Sequence, residues 1–418
     1  MIFAPFIYFS TLFLLILKKK KHFELSALIA LIYIIISFFA ILIDVKDLYG
    51  SGGCVKASIE LMPTILFCVL ISLTIIPFYY LSLLTRGNLN PIVNLKLFNW
   101  IVYFFLVIYI LFLLFFVGEI IGRVRDPDIA TLRILWTKEG DDLGFSKYSG
   151  APRIVARFVF IFASAGMFLQ VLYFYSVALL NNSSKFNAMI LFCSTSPILI
   201  GMLSLDRSKM VYWIMSFIAL YVFFSKVLDV KKKKMIRRVL IYFSFIFSIY
   251  LTTITLARYG DYDSGATDSL IIYAGQSFNN FCLFYDLLNI SGISLKEVLP
   301  VLNIIISSPD EISRADLYTL RNIDTNVFAS FSGILIREIG VFGSILYSLI
   351  YLIIVSRIFK RIWKYNIANI FLVVIMLYIP YLGVFGLFYA SPDRVLSAWG
   401  VLILCFFLSK RFIYSRSN

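Results

Sequence analysis

Eleven apolar stretches constrain this chain more than any other feature of its sequence. A helix that spans a bilayer needs about 20 mainly apolar residues. Stretches close to that length lie at residues 1–17, 24–43, 60–84, 99–121, 155–180, 188–204, 211–228, 239–257, 341–357, 367–389 and 396–409. The chain is 61% hydrophobic and 15% charged, whereas soluble domains average about 25% charged residues. The sequence therefore predicts an all-α polytopic membrane protein, with one integral membrane domain over residues 1–418 and about eleven transmembrane helices.

The basic residues are distributed unevenly between the predicted loops. Lysine runs follow the first and seventh stretches, at 18–21 and 231–234, and the positive-inside rule places both runs on the cytoplasmic side. The N-terminus is then outside and the C-terminus inside. Inside segments carry 21 bases and two acids, and outside segments carry 17 bases and 21 acids. We therefore interpret the net charge of +15 as a topology signal, and we expect no nucleic-acid partner.

Two long polar loops are predicted outside, at residues 122–154 and 258–340. The second lies between the eighth and ninth spans and contains ten of the 23 acids but only five bases. Loops longer than about 15 residues are usually functional or disordered, and the many aromatic and aliphatic residues argue against disorder here. We expect 258–340 to form a cap over an active site. Its segments 269–288 and 298–306 are predicted to be interfacial or cap helices or, alternatively, a re-entrant hairpin.

Few residue types are available for chemistry on the outer side. The only histidine, His22, lies beside the inner lysine run, so an external site has no histidine base or histidine metal ligand. The five cysteines form no CxxC or Cys/His cluster, which argues against a zinc site or a disulfide framework. Cys54 and Cys282 are both predicted outside, and the sequence leaves open whether they pair. We expect a metal-independent protein without a cofactor.

Arginine indicates the site better than histidine or cysteine does, because a charged side chain close to the bilayer is energetically costly and is usually retained for a function. Guanidinium groups bind phosphate oxygens in a bidentate manner, so arginines that converge at the outer span ends can hold a pyrophosphate. The predicted pyrophosphate ligands are Arg207, Arg258, Arg321, Arg337 and Arg394. The alternative is that these side chains extend to lipid headgroups or pair with neighbouring acids.

Acids and aromatic residues near these arginines complete the predicted site. Asp268 and Glu338 are the two candidate general bases, and the alternative for each is a solvated loop charge. Sugar rings stack on aromatic faces, so Tyr259 and Tyr273 are predicted to bind sugar. An interfacial aromatic belt has the same composition.

The end of the large loop resembles a known family. Residues 325–354 read TNVFASFSGILIREIGVFGSILYSLIYLII. They are similar to the Wzy-type oligosaccharide repeat-unit polymerases of bacterial O-antigen and capsule pathways, in which an Asn and an aromatic run precede a G-x-x-G at the start of the next span. Asn326, Phe328, Gly340 and Gly343 occupy those places. The Arg-Ser turn at Arg207 and the stretch YAGQSFNNFCLFYD at 273–286 agree with the same family.

This resemblance implies a fold similar to the C-type (GT-C) membrane glycosyltransferases. It implies a polymerase that joins undecaprenyl-pyrophosphate-linked oligosaccharides, as donor and acceptor, at the periplasmic face of the bacterial inner membrane. It further implies a chain-length regulator and a flippase as pathway partners, contact with membrane lipids, and Asn326 as a sugar-binding residue. One alternative is an O-antigen ligase-like enzyme, although ligases use an external histidine. The other is a lipid-linked oligosaccharide flippase or transporter, which should place charges and broken helices at mid-membrane.

Overall fold

The computed structural model describes residues 1–49, 54–81, 84–85, 87, 94–125, 147–180, 182–259, 265–286, 298–300, 329–362, 365–390 and 392–409. All regular elements within these ranges are helices. In chain order they are α1 (Phe3–Lys20), α2 (Leu25–Val45), α3 (Leu61–Tyr80), α4 (Leu95–Arg125), α5 (Ala151–Ser164), α6 (Leu169–Tyr175), α7 (Ser184–Cys193), α8 (Ser196–Leu203), α9 (Ser208–Phe224), α10 (Val230–Tyr259), α11 (Gly265–Asp286), α12 (Phe331–Arg361), α13 (Ile367–Leu382) and α14 (Pro392–Ser409). Short 3-10 or π-helical segments follow α5 and α6 and precede α14.

Several of these helices are long and apolar enough to cross a membrane. Among the described residues, six segments meet this condition on length and composition: Leu25–Val45, Leu61–Tyr80, Leu95–Arg123, Ala151–Leu180, Ser184–Leu203 and Phe331–Arg361. Shorter apolar helices occupy Ser208–Phe224, Ile367–Leu382 and Arg394–Ser409. The part of the chain that the structure describes is therefore helical, and the protein is a polytopic membrane protein.

The chain forms two compact units. The first comprises Met1–Ser82, Tyr259–Ile362 and Ile375–Val395, and the second comprises Leu83–Arg258, Trp363–Val374 and Leu396–Asn418. The first unit thus contains α1 to α3, α11, α12 and the end of α13. The second contains α4 to α9 and nearly all of α10.

Helix α11 packs tightly against α2 in the first unit. Gly275 makes this possible, because a Cβ atom at this position would collide with the backbone of Phe39 and Ala40. One turn earlier, Ile271 and Ile272 join a buried apolar cluster with Ile43 of α2. The helix therefore lies along the C-terminal half of α2, close to the start of the segment 44–59 that the sequence predicts outside.

Aromatic side chains fill the space between α11 and α3. Phe67 of α3 has its ring centroid 5.0 Å from that of Phe278 and 5.2 Å from that of Phe281, both on α11. On its other side, Phe67 contacts Phe9 of α1 and Tyr33 of α2. Aromatic residues bury large apolar areas and pack with preferred tilted geometry, so this cluster fixes α11 across the hairpin of α2 and α3.

The second unit has a core of its own around Trp213 on α9. The indole stacks on Phe217 at a centroid distance of 5.3 Å, and its Nε1 donates a hydrogen bond of 2.8 Å to the Ser194 carbonyl. Gln170 donates from Nε2 to the Trp213 carbonyl at 3.0 Å. These bonds join α6, α9 and the end of α7.

Helix α12 begins ten residues before the apolar stretch predicted at 341–357. The extension is possible because Ser330 caps the new N-terminus, with its Oγ accepting from Gly333 N at 3.3 Å. Gly340 then interrupts the helix with φ 70° and ψ −174°, a conformation that glycine adopts without steric penalty. Residues 331–339 consequently form a separate half-helix, and it carries Arg337 and Glu338.

Candidate functional site

A buried ion pair lies on the half-helix 331–339. Arg337 Nε is 2.9 Å from Glu338 Oε1, and the two residues are 2% and 3% exposed. Removing two charges from water costs several kcal/mol per ion unless they are paired and hydrogen-bonded. Ionisable side chains that are buried next to membrane spans are functional-site hypotheses by default. The pair is therefore the first place to look for chemistry in this unit.

The Arg337 guanidinium contacts an aromatic face of α11. Its Cζ lies 5.7 Å from the centroid of the Phe284 ring, within the range of cation–π attraction. The backbones of α11 and α12 approach one another here through Gly333, where an added Cβ would lie 3.7 Å from Phe281 Cα. Phe284 thus forms one wall of the site, close to the backbone of α12.

The start of α12 is also attached to the turn that follows α13. Phe331 N donates to the Gly383 carbonyl at 2.5 Å, and the hydroxyls of Ser330 and Ser332 share a hydrogen bond of 2.7 Å. A buried helix N-terminus needs such partners, because its first four N–H groups have none within the helix. The turn and the cap therefore hold the half-helix in place.

The same turn, residues 383–390, connects three elements of the site. Near its start, Ser277 of α11 donates from Oγ to the Val384 carbonyl at 2.8 Å. At its end, Arg394 donates from Nη1 to the Phe388 carbonyl at 3.1 Å, with its guanidinium 5.2 Å from the Phe388 ring. Arg394 and the Arg337–Glu338 pair thus belong to one connected arrangement within the first unit.

Asp268, the other predicted base, has different surroundings. It forms an ion pair of 3.0 Å with Lys46, at the end of α2, and both side chains remain partly exposed. Asp268 precedes Phe284 by 16 residues, which places them about 24 Å apart along α11 and about 160° apart around it. Asp268 therefore lies at the other end and on a different face of α11 from Phe284, the residue that contacts Arg337.

The face of α11 that carries Asp268 is engaged by the segment before α3. Asn279 donates from Nδ2 to the Val55 carbonyl at 2.5 Å and accepts from Ala57 N at 3.3 Å. Asp286 accepts from the backbone N and the hydroxyl of Ser58, at 3.3 and 2.6 Å. The polar groups on this face thus connect α11 to its neighbours.

The remaining predicted site residues lie elsewhere. Arg207 is in the second unit, between Asp206 and Ser208 at the start of α9, where Asp206 accepts hydrogen bonds from Ser208 N and Oγ at 2.9 and 2.8 Å. Tyr273 is half-buried on α11. The side chains of Arg258 and Tyr259, at the end of α10, lie outside the described part of the chain, as do residues Arg321 and Asn326.

Sequence reasoning did not assign a role to two buried amides on α11, Gln276 and Asn280. They precede Phe284 at intervals of four residues, so all three share one face of the helix. Both are almost fully buried, at 3% and 0% exposure. The four-residue spacing of these two polar residues within the apolar stretch at 269–288 could have identified this face of the helix from the sequence.

The cysteines and acids show no sign of a metal centre within the described residues. No group of three or more His, Cys, Asp or Glu side chains is placed to hold an ion there. Cys54 and Cys282 are both free thiols and both buried, and burial raises the pKa of Cys54 to about 11. Comparison with protein-family models, curated proteins and solved structures finds no match to this chain.

Proposed function

We propose that the protein is a membrane glycosyltransferase that polymerises undecaprenyl-pyrophosphate-linked oligosaccharide repeat units into O-antigen or capsular polysaccharide. The observation that carries the proposal is the buried Arg337–Glu338 pair on a broken helix, within the segment whose sequence resembles the Wzy-type polymerases. The proposal includes about eleven spans, a fold like that of the GT-C enzymes, and a location in the bacterial inner membrane with the site on the periplasmic side. A chain-length regulator and a flippase are the expected pathway partners.

Glu338 is proposed as the general base. One carboxylate oxygen is held by Arg337, while Oε2 makes no hydrogen bond to the described residues, so it is available to accept a proton. In the reaction, the acceptor hydroxyl oxygen attacks the anomeric carbon of the donor sugar. The bond between that carbon and the pyrophosphate oxygen breaks, and the hydroxyl proton passes to Glu338.

Arg337 and Arg394 are proposed to act on the charged groups of this reaction. Arg337 orients the Glu338 carboxylate. Arg394 lies at the other end of the 383–390 turn, and a guanidinium there stabilises the charge that develops on the leaving pyrophosphate. Asp268 is proposed to be structural, because Lys46 already pairs with it. Roles for Arg207, Arg258, Arg321, Tyr259, Tyr273 and Asn326 stay predictions from the sequence.

A lipid-linked oligosaccharide flippase is the second candidate function. The observation in its favour is α12 itself, because a discontinuous helix that carries buried charges is typical of secondary transporters. The ligase alternative gains no comparable support, since the chain has a single histidine and it lies at the predicted inner end of α1.

Glu338→Gln separates these candidates in a strain that lacks the chromosomal gene. The amide keeps the size of the side chain and cannot accept the hydroxyl proton, so a polymerase should leave single repeat units on the cell surface. Loss of a flippase would instead leave no repeat unit outside. A full-length polymer ladder from Glu338→Gln, at wild-type membrane levels, would refute the proposed base.

A further inference from the structure

Gln276 is one of the buried polar residues of the first unit whose side chain has an atom without a hydrogen-bond partner. Its side chain is 3% exposed, and its Oε1 is buried without a hydrogen-bond partner among the described residues. A buried acceptor without a donor loses the hydrogen bonds that it had in water, which is unfavourable for folding. Native proteins keep few such groups, and each one requires an explanation.

The position of Gln276 supplies that explanation. It lies next to Ser277, whose hydroxyl donates to the Val384 carbonyl, and two turns before Phe284, which contacts Arg337. Gln276, Asn280 and Phe284 follow one another at intervals of four residues on the same side of α11. At 100° per residue, Gln276 lies about 80° around α11 from Phe284, at the edge of the side that meets the start of α12 and the 383–390 turn.

The chemistry of an amide oxygen limits what it can bind. Oε1 only accepts hydrogen bonds, so it does not complement the oxygens of a pyrophosphate, which also accept. It complements a hydroxyl group. These features select the uncharged glycan and not the pyrophosphate end of a lipid-linked substrate.

We propose that Gln276 determines specificity at this site by binding a hydroxyl of the acceptor glycan, whose reacting hydroxyl then faces Glu338. The inference rests on the proposed glycosyl transfer. It specifies in addition which part of the substrate α11 recognises. A site built to hydrogen-bond a substrate hydroxyl discriminates strongly against an analogue that lacks it. The preferred repeat unit therefore carries a free hydroxyl at the position that reaches Gln276.

Gln276→Leu tests this assignment, because leucine has a similar volume and no polar atom. We expect the purified full-length variant to unfold at the same temperature as the wild type or higher, since the unsatisfied oxygen is gone. We expect its KM for the lipid-linked oligosaccharide to rise at least about tenfold, the lower end of the discrimination that a lost polar contact produces. Surface polymer should become shorter in parallel.

Gln170→Leu is the matched control. Gln170 is equally buried, at 0% exposure, and its Oε1 also has no partner among the described residues, but it lies in the second unit, where Nε2 donates to the Trp213 carbonyl. Its replacement should leave the KM unchanged for the folded fraction of the protein. If Gln276→Leu fails to fold, Gln276→Met repeats the measurement with an unbranched side chain of similar length.

Two outcomes decide the inference. A wild-type KM and a wild-type polymer ladder in Gln276→Leu or Gln276→Met would overturn it, because the oxygen would then need only an internal water. The proposed function is tested separately by Glu338→Gln. Loss of polymer in Glu338→Gln with normal polymer in the Gln276 variants would refute the role of Gln276 alone, and normal polymer in Glu338→Gln would refute the general base on which the proposed mechanism depends.

Discussion

The polar side chains on two faces of α11 differ in whether they are hydrogen-bonded to neighbouring segments. Towards α2 and the segment before α3, Asp268, Asn279 and Asp286 each have partners in neighbouring segments. Further around the helix, towards Phe284, the Gln276 oxygen has no hydrogen bond within the described residues, and Glu338 Oε2 on α12 has none there either. Polar groups with a structural role form their hydrogen bonds within the protein, whereas polar groups that bind a ligand have atoms without a partner in the protein. Substitutions on the two faces should therefore have opposite effects on stability and activity.

The largest effect is expected from Arg337→Leu. It leaves the buried Glu338 carboxylate without its partner, and breaking a buried pair in this way costs about 3–5 kcal/mol of stability. Replacing both residues with leucine should restore most of the free energy of unfolding but no polymer. Thermal unfolding of the detergent-solubilised protein and gels of surface polymer measure the two quantities. Polymer synthesis by the double variant would show that the pair has no role in catalysis.

Gly275→Ala should have the next largest effect. The added methyl group meets the backbone of Phe39 and Ala40, so α11 has to move away from α2, and overpacking of this kind costs about 1–3 kcal/mol. Gly118→Ala on α4 is the control, because nothing lies within 4 Å of the new atom. It should be neutral or slightly stabilising. Equal melting temperatures for the two variants would contradict the close approach of α11 and α2.

Asn279→Leu should behave in the opposite way to Gln276→Leu. Leucine leaves the Ala57 N–H and the Val55 carbonyl without the partners they now have, and unsatisfied buried groups cost about 1–3 kcal/mol. We expect a lower melting temperature and an unchanged rate per folded molecule. A normal melting temperature together with lost activity would instead place the ligand on this face of the helix.

Asp268→Asn should have a small effect. The Lys46–Asp268 pair is partly exposed, and such pairs contribute at most about 1 kcal/mol. Polymer length should not change, and Lys46→Met should give the same result. Complete loss of polymer in Asp268→Asn, at normal membrane levels, would restore this residue as the general base.

The smallest effect is expected at the thiols. With its pKa raised to about 11 by burial, Cys54 exists almost entirely as the unreactive protonated form at pH 8. Alkylation of the folded protein at Cys54 should be slow and should accelerate as the pH approaches 11. Replacing both Cys54 and Cys282 with serine should leave folding and polymer near normal. Rapid labelling at pH 8 would show that Cys54 is open to solvent.

The sequence predicted the helices well and the site only in part. Apolar length can be recognised without any knowledge of a segment's neighbours: each predicted stretch overlaps a described helix, and six described segments are long and apolar enough to cross a membrane. The start of α12 was assigned to the loop, because Arg337 and Glu338 look like solvated charges until the Ser330 cap and the contact with Phe284 are known. Likewise, Lys46 and Asp268 are separated by 222 residues, and no local pattern predicts that such residues pair. Site residues that depend on distant partners cannot be ranked from spacing alone.

The turn at 383–390 determines when the site can first exist during synthesis. Tyr33 donates to the Pro380 carbonyl across 347 residues of chain, and Ser277 donates to the Val384 carbonyl across 107. Nascent chains that have not yet extended beyond α13 therefore contain Arg337, Glu338 and Gln276 but lack the backbone that holds α11 against α12. Insertion of the early helices proceeds without a functioning centre, and assembly of the centre is one of the last steps of biogenesis.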